Sequence, residues 1–286
     1  MIYLFLSILS STGIFVLFKL FNTYEINTLQ AIVVNYLTAC ICGLLLYDGP
    51  IKVSEIPHTN WFFPAFGLGF LFISIFNVMA LTAQKNGLSV ASVASKMSVI
   101  IPILFGIYVY KEGIGNQKIA GIVLALIAVY LTSLKEKEAI ASKGSILLPI
   151  ILFIGSGLID TFVNHYAPDN DIPLFSATIF AIAGLIGVII LSYKSIRLKN
   201  HFKLKSIPLG IVLGIVNYCS IYFLLKALRV DGFESSSIFT INNVVIVAFS
   251  TLIGLLLFKE RISRKNWIGI IIAMIAIILV TRSNGN

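Results

Sequence analysis

Two stretches of the chain, 148 residues apart, repeat one another. Residues 103–134 read ILFGIYVYKEGIGNQKIAGIVLALIAVYLTSL, and residues 251–282 read TLIGLLLFKERISRKNWIGIIIAMIAIILVTR. Gly106 falls on Gly254, Lys111 on Lys259, Glu112 on Glu260, Ile114 on Ile262, Gly121 on Gly269, Ala125 on Ala273 and Ala128 on Ala276. The match marks an internal duplication. Each copy is an apolar segment ending in an aromatic-Lys-Glu turn, followed by a second apolar segment whose Gly-xxx-Ala face lets another helix come close.

The duplication sits in a chain with little polar surface. Of its 286 residues 58% are hydrophobic and 12% charged, and the mean hydropathy is +0.99. Such a chain cannot cover a soluble globule with polar groups, so an integral membrane protein is expected. Cys40, Cys42 and Cys219 all lie in apolar segments and read as small packing residues; neither a disulfide framework nor a metal cluster is expected, and no cofactor is implied. The net charge of +9 is spread over short loops between apolar runs, where it sets topology and meets anionic head groups, so nucleic acid is not an expected partner. The N-terminal stretch MIYLFLSILSSTGIFVLFKLF lacks a basic leading region and reads as a retained first span, not a cleaved signal.

Apolar runs fall at 2–21, 27–47, 61–83, 88–109, 117–134, 145–166, 172–193, 206–228, 235–258 and 265–282. Most approach the ~20 residues that a helix needs to cross a bilayer, and strand-like alternation is absent from the sequence. The stretch KEKEAIASKG, 135–144, reads as a linker, with five runs before it and five after. Because five is odd, the second copy enters the membrane from the opposite side. The expected fold class is therefore all-α integral membrane, with ten transmembrane helices as two inverted five-helix repeats, 1–134 and 145–282. Weaker matches at an offset of 145 agree: Ser11 with Ser156, Ile14 with Ile159, Gly87 with Gly232. The change of offset from 145 to 148 implies a three-residue indel in the fourth helix of one half.

Ten short spans in two five-helix repeats, each with an aromatic-x-Glu turn before its last helix, resemble the drug/metabolite transporter superfamily, in particular its EamA-like group. The motifs that carry the resemblance are Tyr110-Lys111-Glu112 and Phe258-Lys259-Glu260, with Gly121 and Gly269 in the helices that follow. The resemblance covers nearly the whole chain. It implies a secondary carrier working by alternating access, a central cavity lined mainly by the first four helices of each half, and a peripheral, structural last helix in each half. The first helix here carries Lys19, where small proton-coupled drug exporters of the superfamily carry a carboxylate. That departure counts against cationic-drug export by their mechanism.

Ten spans put both termini on one side. The loops on that side hold Lys52, Lys111, Lys118, Arg229 and Arg282. The opposite loops hold Lys85, Lys135, Lys137, Lys143, Lys194, Arg197, Lys199, Lys203, Lys205, Lys259, Arg261, Arg264 and Lys265. The charge bias favours the second set as cytoplasmic; the superfamily resemblance implies cytoplasmic termini instead, and the two readings stand opposed.

A charge in hydrocarbon costs about 2.5–3.5 kcal/mol at a helix centre, so ionisable residues inside spans are the first functional candidates. Lys96 lies eight residues into the fourth run, roughly 12 Å from its start at 1.5 Å per residue, too deep for easy snorkelling. It reads as a substrate or coupling residue that favours an anionic group. The alternative is a lysine paired with carbonyls freed by the kink at Pro102, or one reaching toward an interface. Lys19 is a second substrate-binding candidate beside it, although, like Lys226, it stands near a helix end and can snorkel. Asp160, the carboxylate well inside a span, is the expected proton carrier with His165 a little over one turn later; an interfacial capping role is the competing view.

Buried amides form the next tier: Asn35, Asn77, Asn164, Asn217, Asn242 and Asn243 either line a substrate site or bind neighbouring helices. Asn217 with Tyr218 and Tyr222, the two tyrosines at i and i+4, makes the best group for a small polar metabolite. Glu112 and Glu260 are expected at the start of the next helix, complementing its N-terminal dipole. Trp61 and Trp267 read as interfacial anchors. Pro64, Pro149, Pro173 and Pro208 fall in first turns, where proline costs little. Only Pro102 is deep enough to break a helix, and a broken helix beside a buried charge suits a substrate site near the midplane.

The function expected is secondary active transport of a small organic metabolite, anionic or zwitterionic, with a proton as one option for the coupling ion. The protein is expected in the cell membrane, inner or plasma, as a multi-pass component. Its partners are a small-molecule solute and the lipid bilayer, with a homodimer left open. Two alternatives belong to other classes: a membrane-embedded hydrolase using Ser92 and Lys96, which are i, i+4 on one helical face, and a non-transporting scaffold whose polar residues are all satisfied between helices. No His-Glu-xx-His, Gly-x-Ser-x-Gly or phosphate-loop pattern supports the first.

Overall fold

The computed structural model describes residues 2–49, 54–109, 115–133, 146–168, 172–198, 203–228 and 235–282. The Tyr110-Lys111-Glu112 turn, the 135–144 linker, Gly232 and the side chain of Asn164 lie outside the described residues. Among the described residues the fold is entirely helical: α1 (Ile2–Thr23), α2 (Thr28–Leu45), a short 3-10 turn (Ile56–His58), α3 (Phe62–Lys85), α4 (Leu88–Met97), α5 (Ile100–Val109), α6 (Asn116–Ser133), α7 (Leu147–Tyr166), α8 (Ile172–Leu198), α9 (Ser206–Leu228), α10 (Ser235–Leu256) and α11 (Arg264–Arg282). Six segments are long and apolar enough to cross a membrane, counting Leu88–Val109 as one; Ile119–Thr132, Leu147–Val163 and Ile241–Leu256 are shorter apolar helices. Helix α8 continues past the apolar run into Lys194 and Arg197, whose side chains are exposed.

The chain forms two compact units, and each draws on both halves of the sequence. The first comprises Met1–Lys19, Val78–Leu158 and Cys219–Asn286; the second comprises Leu20–Asn77 and Ile159–Tyr218.

In the first unit, α6 and α11 make the most extensive helix pairing. They meet through the small residues that the duplication placed on both: Ala125 and Ala128 on one side, Ala273 and Ala276 on the other, all buried with Val93, Met97, Ile100 and Val247. At Gly269 a Cβ would lie 2.8 Å from Thr132 Cγ2 and 3.0 Å from the Thr132 nitrogen, so the backbones are in near contact. Asn266 Nδ2 donates to the Thr132 carbonyl at 3.1 Å. The start of α11 thus lies against the end of α6, and the two repeat-related helices run antiparallel. Their outward faces expose Val123, Leu126 and Tyr130 on α6 and Ile268, Ile271 and Ile275 on α11, as helices in contact with lipid do.

In the second unit α2 packs on α8, its counterpart at the 145-residue offset. A Cβ on Gly43 would meet Ala177 at 3.1 Å, one on Gly184 would meet Leu37 at 3.1 Å, and one on Gly187 would meet Val33 at 2.4 Å. Contacts that ascend one helix descend the other, so this pair is antiparallel too. Tyr36 is fully buried; its hydroxyl donates to the Phe72 carbonyl at 2.8 Å, and its ring lies 5.6 Å from Phe76 and 5.9 Å from Phe180. Trp61, expected as an interfacial anchor, is instead 9% exposed and packs edge-on against Phe175 at 5.5 Å. An aromatic neighbour on α8 gives its ring a better surface than the head-group region. Trp267, 40% exposed, keeps an outward position.

Candidate functional site

The fourth apolar run is two helices. Helix α4 ends at Met97, Ser98 and Val99 form a turn, and α5 starts at Ile100. The cause is Pro102, which has no N–H to give to the Ser98 carbonyl four residues earlier. Ile101 N donates to that carbonyl instead, at 2.9 Å. The main chain is therefore irregular directly after Lys96, which sits half-buried in the last turn of α4. Ser92, one turn before, is fully buried, and its hydroxyl donates to the Ser89 carbonyl at 3.0 Å within the same helix.

The N-terminus of α4 is held by Glu260. Both carboxylate oxygens accept the Leu88 N–H at 3.0 Å, and Oε1 lies 2.9 Å from Lys19 Nζ. The two side chains are 19% and 10% exposed. Glu260 reaches this place because Lys259 takes a left-handed conformation, φ +49°, and the Glu260 N–H donates back to the Gly254 carbonyl at 2.9 Å. Two glycines leave room for the carboxylate: a Cβ on Gly254 would lie 2.7 Å from Oε2, and one on Gly87 would lie 2.8 Å from it. Gly87 also has φ +106°, open to glycine and strained for other residues. A carboxylate at this point meets the positive end of the α4 dipole and one of its unpaired donors. The expectation that Glu260 serves the helix following it is thus corrected. Helix α11 is capped by its own residues, Ser263 Oγ accepting the Asn266 N–H at 3.2 Å, and Glu260 serves α4, far away in sequence.

Lys19, expected as a substrate ligand, is engaged in this ion pair. Lys226, exposed on α9, lies 5.6 Å from the centroid of the Tyr222 ring, a cation–π arrangement.

Three of the amides, Asn35, Asn217 and Asn242, meet a neighbouring helix. Asn35 of α2 and Asn217 of α9 are both buried and meet at 3.2 Å. The same two helices come close where a Cβ on Gly214 would lie 2.6 Å from the Asn35 carbonyl oxygen. Asn77 donates to Ile73 of its own helix at 2.7 Å. Asn242, buried on α10, accepts from Ser7 Oγ of α1 at 3.3 Å, and the same hydroxyl lies 3.1 Å from the Ser220 carbonyl; Asn243 beside it is also buried. Tyr218 packs near Gly43, where a Cβ would meet its ring at 3.3 Å; the Tyr222 ring lies 5.6 Å from that of its neighbour Phe223. Asp160 and His165 are both exposed on α7, and the His165 ring stands edge-on to Tyr166 at 4.7 Å.

Two features had no place in the expectations from sequence. One is Gln30, buried on α2, whose Oε1 accepts from Lys203 N at 2.9 Å and from Ser206 Oγ at 3.3 Å; its repeat counterpart, Phe175, carries no polar signal. The other is the Gly87–Glu260 node. A signal for it was present, since both residues are repeated in the other half, as Gly232 and Glu112.

Comparison with known proteins agrees with this architecture. An uncharacterized protein of Haemophilus influenzae is 30% identical over 282 residues, covering 96% of this chain and 95% of its own length. A crystal structure with 13% sequence identity aligns over 98% of this chain and 99% of its own with a TM-score of 0.53, a likeness of fold. The model of the EamA-like transporter family matches residues 1–134 and 143–282. Matched in both halves, and built of apolar helices, the chain belongs to the EamA-like transporter family of the drug/metabolite transporter superfamily, whose members are multi-pass membrane transporters.

Proposed function

We propose that the protein is a secondary active transporter that moves a small organic metabolite with an anionic or zwitterionic group across the cell membrane by alternating access. The observation that carries this reading is Lys96 beside the broken span. An ammonium half-buried at an interrupted helix favours a carboxylate or phosphate, and interrupted helices are where transporters of this kind build substrate sites. Membership of a transporter family supports transport as the class of activity. The ten-span, inverted-repeat arrangement draws support from two repeat-related helix pairs, α6 with α11 and α2 with α8, that pack antiparallel. Asp160 and His165 are our candidates for proton coupling, and Asn217, Tyr218, Tyr222, Asn35, Asn77, Asn242 and Asn243 for further contacts to the solute.

The experiment has two stages. A thermal-shift screen of amino acids, organic acids, sugars and nucleosides identifies a ligand, because a solute that binds the folded form raises its apparent stability. Uptake of that solute into proteoliposomes is then compared for the native chain and Lys96→Ala. Loss of uptake is expected; unchanged uptake removes Lys96 from the site and the reading with it.

A further inference from the structure

We infer that Lys19, Glu260 and the Leu88 N–H form a latch across the ends of α1, α10 and α4, which parts when that end of the first unit opens to water. This rests on the alternating-access reading above. Three helix ends converge here: α1 finishes at Thr23, α10 at Leu256, and α4 starts at Leu88. One carboxylate touches all three, through a 2.9 Å ion pair to α1, two 3.0 Å contacts to α4 and the turn that folds it onto Gly254 of α10. A second tie at the same end, Gln84 Nε2 to the Phe18 carbonyl at 3.1 Å, joins α3 to α1 one residue before Lys19.

The latch is built to hold a charge and to release it. Both side chains are largely withdrawn from solvent, where an ion pair is strong while intact and where each charge is costly if left alone. Parting is therefore concerted: once water enters, both charges are solvated and the three helix ends are freed together. The α4 dipole makes the dependence directional, since the carboxylate that neutralises Lys19 is also the acceptor for the first N–H of the helix bearing Lys96. Glu260 acts on the substrate site only through α4, as a positioning residue.

Amide hydrogen exchange of the full chain in lipid nanodiscs tests the latch without a known solute. In Lys19→Met and in Glu260→Gln, exchange at amides 88–91 is expected to rise about tenfold, more than at amides in the middle of α6 and α11, because the opening is local to the three helix ends. The double variant should exchange no faster than the single ones, since both remove the same pair, and Lys19→Arg should keep the native rate. Unchanged exchange in Lys19→Met, or additive effects in the double variant, overturns the latch. Uptake by Lys96→Ala bears on the carrier reading alone, so the two proposals fail separately.

Discussion

Gly254 stands where the Glu260 carboxylate comes to rest, and a Cβ added to it would lie 2.7 Å from Oε2. The glycine repeated between the halves is thus the floor of a carboxylate pocket as well as a point of close helix approach. Gly254→Ala should push Glu260 away from both Lys19 and the Leu88 N–H and lower stability by about 1–3 kcal/mol. Gly67→Ala is the control, because a Cβ there meets nothing within 4 Å. Equal unfolding temperatures for the two variants would contradict the pocket.

The seam between α6 and α11 has even less tolerance. At Gly269 the nearest atoms include the Thr132 nitrogen, 3.0 Å from the added Cβ, and backbone cannot rotate away as a side chain can. Gly269→Ala should cost about 1–3 kcal/mol and Gly269→Leu should prevent assembly of the native bundle, both read by detergent-resistant folding in denaturant titrations.

Asn35 and Asn217 predict a coupling. Removing one amide leaves the other buried without that partner, whereas removing both leaves an apolar contact. Asn35→Leu and Asn217→Leu should each destabilise by about 1–2 kcal/mol, with the double variant losing less than their sum. A double-mutant cycle measures the difference, and strict additivity would show that the two amides are energetically independent.

Pro102→Ala supplies an N–H that can take the place of the Ile101 N–H on the Ser98 carbonyl and removes the proline ring from the turn. We expect α4 and α5 to join into a straighter helix, with thermal stability raised by about 1 kcal/mol and uptake of the identified solute reduced severalfold. A straight helix with undiminished uptake would show that the break is not needed beside Lys96.

Much of this architecture can be read from local patterns. Helix positions follow hydropathy to within a few residues, because burial in lipid demands continuous apolar runs and intact backbone hydrogen bonding. The break after Lys96 follows from one proline. Partners distant in sequence are harder to foresee. Glu260 lies close to α11 along the chain, and proximity pairs it with the dipole of that helix, yet the left-handed Lys259 turns it towards Leu88. Trp61 has the position of an interfacial anchor but finds the Phe175 ring across its unit. The residues of the proposed substrate site are thus recognisable as polar groups in apolar runs, while the pairing that commits Lys19 to Glu260 comes only from the fold.

The close approach of α6 to α11 has one more implication. Where Gly269 faces Thr132, the join includes main chain, which has no rotamers to exchange and no shorter form to adopt. The very segment that gene doubling copied is consequently hard to edit: a single added methyl group on it would begin to wedge the two copies apart.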